Sequence, residues 1–443
     1  MITFGLSTVV DVFRVISDSV VYRSALVFYG AYPITMACVW IVLSVSFARR
    51  REGKAAPIKA APAGADPRSL PFVSVVIPAH REAETIGRTL EALLAVDYPL
   101  YEVIVVNDGS PDDTAAVVRR YIHTDVVRLL DKTVNEGKAM GLNDALPLCR
   151  GEIVVVLDAD IVVTPGVLRA LVPHFATSRV GAVTGNPRVA NRGSLLRNLQ
   201  TLEFASIVSV QRRAQRIWGR VLTVSGAVAA FRKTALVDVG LFSPDMATED
   251  IDMTWKLQRR FWDVRYEPAA VVWMEVPPTL RELWKQRRRW AKGLAQVLSK
   301  HRGLAMSWKC RRLWPVFWEG VLSIAWAYTF LVLTTYWLVA HALGYSPYGS
   351  SPIPSLWGML TATACLTQLA TGVMLDRRYD RGLARYFPFA VLYPLVYWLL
   401  MSVISAIYTI DGLLRKRPSV QVWHIERVGV RAGAQSFAQI ESL

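Results

Sequence analysis

The sequence predicts an α/β domain inserted between membrane helices, and three observations lead there. From residue 72 onward, short Val-rich strands alternate with helical segments. Long apolar stretches sit before and after that region. Acidic residues cluster where the apolar strands end, which is where open α/β sheets bind ligands.

The strands are taken in order. FVSVVIP (72–78) is a continuous apolar run, and YEVIVVND (101–108) is a second. EIVVVLDAD (152–160) and VGAVTG (180–185) follow. Unbroken rather than alternating apolarity marks strands buried on both faces, which predicts a parallel sheet covered by helices. EAETIGRTLEALLAV (82–96) and DTAAVVRRY (113–121) carry helical spacing between them.

The flanks read differently. Residues 24–48 are uncharged and long enough to span a bilayer, which needs ~20 residues. Arg49, Arg50 and Arg51 follow, placing the next segment on the cytosolic side. Before the span, Asp11, Arg14 and Asp18 share one helical face, predicting an amphipathic helix on the membrane surface. Residues 51–71, rich in Ala, Pro and Gly, read as a linker. The catalytic unit is expected over 72–280, an interfacial basic helix over 281–313 and membrane helices over 314–414, with a tail at 415–443. Apolar segments fall at about 315–343, 354–375 and 386–413. Three full crossings would put Arg415, Lys416 and Arg417 on the outer side, against the positive-inside rule. Either the tail breaks the rule or one segment does not cross, and Pro388 and Pro394 single out the last.

Charge and cysteine content narrow the class. The formal net charge is +16, and 53% of residues are apolar. The basic clusters flank spans, and no basic stripe interleaved with aromatics occurs elsewhere, so nucleic-acid binding is not expected. Cys38, Cys149, Cys310 and Cys365 form no CxxC pair, consistent with a reducing face and no zinc site.

Four polar signatures carry the candidate chemistry. Asp108 closes the second strand before Gly109-Ser110; it can accept from a nucleobase N–H or serve an Asx turn. Asp158-Ala159-Asp160 closes the third and can supply oxygen ligands to Mg²⁺ or Mn²⁺ beside a diphosphate. Thr248-Glu249-Asp250 opens a helix, where acids are favoured by the dipole but can also provide a general base. Gln286, Arg289 and Trp290 share a face by i, i+3, i+4 spacing, with a guanidinium for a diphosphate and an indole for a sugar. Arg287 and Arg288 are read as headgroup contacts. Asn135-Glu136-Gly137-Lys138 precedes a helix, and Lys138 could reach a phosphate.

In this order, Asp108, Asp158/Asp160, Thr248-Glu249-Asp250 and Gln286-x-x-Arg289-Trp290 resemble the D, DxD, TED and QxxRW motifs of family-2 processive glycosyltransferases. Pro78 and Glu82 resemble that family's first-strand motif, with Arg81 where Asn is usual. Segments VGAVTGNPRV (180–189), RAQRIWGRVLTVSGAVAAFR (213–232), TEDIDMTWKLQ (248–258) and LWKQRRRWAKG (283–293) are similar to the bacterial poly-β-1,6-N-acetylglucosamine synthases within it. Such synthases often begin with two spans, whereas residues 1–22 are too charged for one.

The resemblance implies a GT-A-type domain on the cytoplasmic face of a bacterial inner membrane, acting on UDP-N-acetylglucosamine with Mg²⁺ or Mn²⁺. Glu82 and Asp108 would hold the nucleoside, and Asp158 and Asp160 the ribose, diphosphate and metal. Asp250 would be the base beside Glu249. Gly226 would leave room for the acceptor sugar, and Gln286, Arg289 and Trp290 would hold the acceptor end and diphosphate. No appended cyclic-di-GMP domain is recognisable, so any such regulation is expected in a separate small membrane subunit; export machinery is a further implied partner. A β-1,4-linked product and a non-enzymatic nucleotide-sugar-binding membrane protein are the rival readings.

Overall fold

The computed structural model describes residues 2–52, 70–348, 356–414 and 420–422. Most of the expected linker and tail lies outside the described residues. One sheet of eight strands organises the middle of the chain: β1 (Val73–Ala79), β2 (Tyr101–Asp108), β3 (Val127–Lys132), β4 (Ile153–Leu157), β5 (Val162–Val163), β6 (Val180–Val189), β7 (Val228–Arg232) and β8 (Asp263–Met274). Their spatial order is β3-β2-β1-β4-β7-β6-β8-β5.

The strands β3, β2, β1 and β4 run parallel, as expected. Beyond β4 the expectation of a parallel sheet is corrected. β7 is antiparallel to β4 and to β6, and β5 is antiparallel to β8. An unbroken apolar run encodes burial on two faces but carries no information on strand direction. The reversal has a functional result: the first residue of β7, Val228, pairs with the last of β4, Leu157. The turn containing Gly226 is thereby brought beside Asp158.

Fourteen α-helices complete the described residues. Around the sheet are α3 (Ile86–Leu94), α4 (Thr114–Arg119), α5 (Lys138–Ala145), α6 (Val167–Leu171), α9 (Lys233–Asp238) and α10 (Glu249–Arg259). Toward the apolar helices lie α7 (Leu195–Glu203), α8 (Ser209–Trp218) and α11 (Leu280–Lys300). The apolar set is α2 (Val20–Arg51), α12 (Trp314–Ala342), α13 (Leu356–Asp376) and α14 (Trp398–Leu414), preceded by α1 (Ile2–Asp18). Strand alternation splits the core in two. Val75, Ile77, Val103 and Val105 pack with α3, α4 and α6, whereas Val76, Ile104, Val106 and Val156 pack with α5, α9 and α10.

Among the described residues, three helices are long and apolar enough to cross a membrane: Val20–Arg51, Trp308–Ala342 and Gly358–Asp376. The last apolar segment does not form one helix. It breaks into a 3₁₀ stretch at Leu383–Val391, a π turn at Tyr393–Tyr397 and the 17-residue α14. Pro388 and Pro394 remove two backbone donors there, and α14 is shorter than the ~20 residues a span needs. The segment begins and ends on α11. Arg287 donates to the Tyr397 hydroxyl at 3.2 Å, and Lys292 lies 3.4 Å from Asp411. Beyond it, Gln421 donates its backbone N–H to Pro244 of the sheet domain. The amphipathic helix α1 sits at the opposite end of the bundle, where Ser17 meets the hydroxyl of Tyr336 at 2.7 Å.

A buried charge cluster joins the sheet domain to the apolar helices. Arg213 on α8 reaches Glu52, just past α2, at 2.7 Å and Asp376, at the end of α13, at 2.8 Å. Arg188 on β6 also pairs with Asp376, and Arg192 pairs with Asp380. Arg188, Arg213, Asp376 and Asp380 are almost inaccessible to solvent. Removing one partner of such a set leaves an uncompensated buried charge. Asp376→Ala is therefore expected to lose roughly 3–5 kcal/mol of stability, read as a lowered unfolding midpoint in detergent. A midpoint matching wild type would mean that the joint does not hold the two parts together.

Candidate active site

Four carboxylates converge beyond the carboxyl end of β4. Asp158 and Asp160 follow that strand directly, and Glu249 and Asp250 open α10. The centre of the group is Lys138, the first residue of α5. Its ammonium lies 2.6 Å from Asp158 and 3.1 Å from Glu249, and donates to the Gly226 carbonyl at 3.4 Å. Here the ammonium, expected from the sequence to reach a phosphate, balances carboxylates that could not be held together without a cation. Gly226 lies beside Asp250 and Lys138. A Cβ there would lie 3.3 Å from the Asp250 carboxylate and 3.5 Å from the Lys138 nitrogen.

The environment separates the acids. Burial and the neighbouring Glu249 push Asp250 up to about 6, against the pull of Lys138 and Arg289. Burial also works against the Glu249 carboxylate, but Lys138 and Arg289 hold it below the ordinary range. Asp158 is raised by burial and by Asp160, with Lys138 opposing, while a third of its side chain stays accessible. Two adjacent acids with opposite shifts are the arrangement by which proteins assign separate acid–base tasks.

Asp108 and Glu82 stand one step back. Both carboxylate oxygens of Asp108 accept backbone N–H groups, from Glu136 at 3.0 Å and Gly137 at 2.7 Å. The side chain is 1% exposed. Asp108 therefore fixes the loop that presents Lys138, rather than presenting a free face to a nucleobase. Gly137 takes φ +85° at the mouth of that loop, a conformation that costs side-chain-bearing residues ~1–2 kcal/mol. Glu82 is buried too; it accepts from the Thr85 hydroxyl, and its own N–H donates to Thr114. Arg81 has φ +60°, which explains why an asparagine, tolerant of that region, suits this position.

The basic helix α11 closes the other side. Arg289 is exposed and acts electrostatically on both Glu249 and Asp250. The side-chain carbonyl of Gln286 is buried without a hydrogen-bond partner among the described residues, so it is ready for a hydroxyl donor. Trp290 packs against Val189, Phe204 and Val276. Arg287 departs from the headgroup role expected of it. It is buried, pairs with Glu203 and lies 4.0 Å over the Trp290 ring, so it orients that indole.

Docking of α11 onto α10 depends on residues that the motif reading passed over. A Cβ on Gly293 would fall 2.3 Å from the Thr248 hydroxyl. Gln296 accepts from the backbone of Ala247 at 3.1 Å. Asp252, wholly buried, meets His301 at 2.8 Å and Lys300 at 3.0 Å. Burial opposes the Asp252 charge, but these partners and Ser243 hold its carboxyl well below the usual range. The sequence signal was present in the glycine following QRRRWAK and in the acid two positions after TED.

The comparisons agree with this geometry. Residues 70–293 match the family model described as "Glycosyltransferase like family 2". The chain belongs to glycosyltransferase family 2. It is 33% identical over 398 residues to the poly-beta-1,6-N-acetyl-D-glucosamine synthase of Staphylococcus epidermidis, covering 88% of this chain and 95% of that one. It is 35% identical over 395 residues to the synthase of the same name from Staphylococcus aureus, at the same coverage. Among solved structures it resembles a mannosyltransferase of Pyrobaculum calidifontis in complex with GDP-Man and Mn²⁺. That match has TM-score 0.63 and 25% identity, covering 88% of this chain and 98% of that one. The fold is GT-A-like and the protein is a glycosyltransferase. No three His, Cys, Asp or Glu side chains converge on a cation position among the described residues. Asp158 and Asp160 still supply hard oxygen donors that fit a divalent ion completed by diphosphate oxygens.

Gly293 is where the two motif helices touch, so Gly293→Ala is expected to push α11 away from α10. The expected result is loss of at least about ten-fold in transferase rate, a barrier increase of ~1.4 kcal/mol, with the sheet domain still folded. Unchanged turnover would show that α11 does not need this close approach.

Proposed function

We propose that the protein is a membrane-embedded, processive, inverting glycosyltransferase that polymerises N-acetylglucosamine from UDP-N-acetylglucosamine into poly-β-1,6-N-acetylglucosamine. The observation that carries the mechanism is Asp250: a half-buried acid raised to about 6, at the foot of the Gly226 turn and faced by Arg289 of QxxRW. The sugar and the linkage come from the names of the relatives.

In this reading the acceptor's primary hydroxyl, at C6 of the terminal sugar, sits in the space left by Gly226. Asp250 takes its proton as the oxygen attacks C1 of the donor from the face opposite the diphosphate. The C1–O bond to UDP breaks, the configuration inverts, and UDP leaves with its electron pair. Asp158 and Asp160 would hold a divalent cation, which when bound lends positive charge to the leaving diphosphate. Lys138 keeps the carboxylates together, and Arg289 adds charge on the diphosphate side. Gln286 and Trp290 position the acceptor sugar.

The product's route begins next to Trp290. A cavity of about 170 Å³ lies between α11, α12 and α14, lined by hydroxyls of Ser323, Ser402 and Thr409 and by the indoles of Trp326 and Trp398. Hydroxyls and aromatic faces suit a sugar chain. In this reading the catalytic domain lies on the cytoplasmic side of a bacterial inner membrane, with three crossings. Because the 383–414 segment returns to α11, that segment ends on the domain's side of the membrane in this reading, the side that the positive-inside rule assigns to Arg415, Lys416 and Arg417.

Two tests follow. Asp250→Asn is expected to abolish UDP release and polymer while UDP binding stays near wild type; normal polymer would remove Asp250 from the mechanism. Treating wild-type polymer with a β-1,6-specific hexosaminidase separates this product from a β-1,4-linked one, which would resist. For pH, Asp250 is the working base only when ionised, so UDP release should rise as pH passes about 6. Lys138 lowers the Asp250 pKa, so in Lys138→Gln that limb should move to higher pH. A limb at the same pH in both would refute the coupling.

A further inference from the structure

A basic pocket lies far from the carboxylate cluster, where the sheet domain meets the start of α12. Its cavity of about 180 Å³ is lined by Arg179, Arg220, Phe261, Lys309, Arg311 and Arg312, among others. That is well above the ~10–15 Å³ a single water needs. Five cations around one small cavity repel one another unless an anion joins them. None of the five is ion-paired to a carboxylate among the described residues. Asp263 attracts Arg220, but its carboxylate is already engaged by Arg216 and Arg265, each at 2.9 Å.

Arg220 is the informative member. It is 7% exposed, its Nη1 donates to the Gly219 carbonyl, and its buried Nε has no hydrogen-bond partner among the described residues. Burial weakens its charge, and Arg312, Arg216 and Arg179 add to that repulsion. An unpaired donor on a buried guanidinium is unfavourable, and an oxyanion relieves both the repulsion and the missing bond.

The surroundings say what carries that oxyanion. Lys309, Arg311 and Arg312 belong to the turn Trp308–Leu313, where the candidate span Trp308–Ala342 begins. Beside them Met306 is 93% exposed and Trp308 68% exposed, with the Arg311 guanidinium 5.1 Å from the Trp308 ring centroid. Exposed Trp and Met next to a clustered set of arginines, at the end of a span, match the boundary between acyl chains and headgroups.

We propose that this pocket seats the phosphate of an anionic phospholipid headgroup, with Met306 and Trp308 resting on its acyl region. Lys309, Arg311 and Arg312 meet the phosphate from the membrane side, and Arg220 completes it from below. The site makes no contact with the carboxylate cluster, and the proposal does not rest on the transferase reading.

The test is native mass spectrometry of full-length protein taken from vesicles of mixed phosphatidylcholine and phosphatidylglycerol into mild detergent. Wild type is expected to retain phosphatidylglycerol over phosphatidylcholine by about ten-fold or more, or ~1.4 kcal/mol. Arg220→Gln and the surface double variant Arg311→Ala with Arg312→Ala should both lose that preference. The double variant alters only exposed side chains, so it separates loss of the site from loss of the fold. Equal retention in all three proteins would overturn the proposal. So would inorganic phosphate raising the unfolding midpoint of wild type but not of Arg220→Gln while lipid retention is unchanged, because the pocket would then serve a soluble phosphate.

Discussion

Four carboxylates gathered at one end of a buried sheet are the constraint on which the rest of the structure depends. Asp158, Asp160, Glu249 and Asp250 cannot share that space as anions without cations close by. Lys138 enters from α5 and Arg289 from α11, and each reaches the cluster only because something else holds its helix. Asp108 fixes the loop before Lys138 through two backbone N–H groups. The missing side chain of Gly293 allows α11 to close on Thr248. The balance is uneven, and the unevenness is useful. Glu249 is in contact with Lys138 and stays ionised, whereas Asp250, screened less directly, keeps its proton up to about 6.

The joint between the sheet domain and the apolar helices is built from the same chemistry with a different purpose. Arg188, Arg213, Glu52, Asp376 and Asp380 form ion pairs and are almost dry. Apolar packing of similar volume would give comparable stability, because burying ions costs about what their attraction returns. What a charge cluster adds is a defined geometry, since Arg213 reaches both Glu52 and Asp376 in one relative placement of α2, α8 and α13. The proposed exit of the product along α11 would need the domain held at one angle to the apolar helices, which this joint provides.

Much of this was legible in the sequence, and the rest was hidden for identifiable reasons. The strands at Val73–Ala79, Tyr101–Asp108 and Ile153–Leu157 follow from uninterrupted Val-rich runs, and the acids at their ends follow from the positions where those runs stop. The direction of β7 was not legible, because burial and direction are independent. Residues 386–413 had the length and apolarity of a span, and only Pro388 and Pro394 indicated otherwise; their effect is a break into three pieces that fold back on α11. Arg287 looked like its neighbours in QRRRW, yet helical phase turns it inward to Glu203 while Arg289 faces the acids. Lys138 looked like a phosphate ligand because a glycine preceded it. Its partners, Asp158 and Glu249, are 20 and 111 positions away in the chain, and no local pattern records such a contact.

The helix α11 is where catalysis and passage through the membrane become one problem. One face of it offers Arg289 and the unpaired Gln286 carbonyl to the reaction. One residue after Trp290, Ala291 already lines the cavity shared with α12 and α14. In the proposed mechanism a newly added sugar therefore lies about one helical turn from the apolar helices. The wall of the reaction site and the mouth of the exit are the same helix, anchored at one side by Gly293 and Gln296 to the acid-bearing α10 and at the other by Lys292 and Trp284 to α14. A shift of α11 large enough to widen the exit would also move Arg289 relative to Asp250. Chain advance and base strength are coupled through that one rigid element.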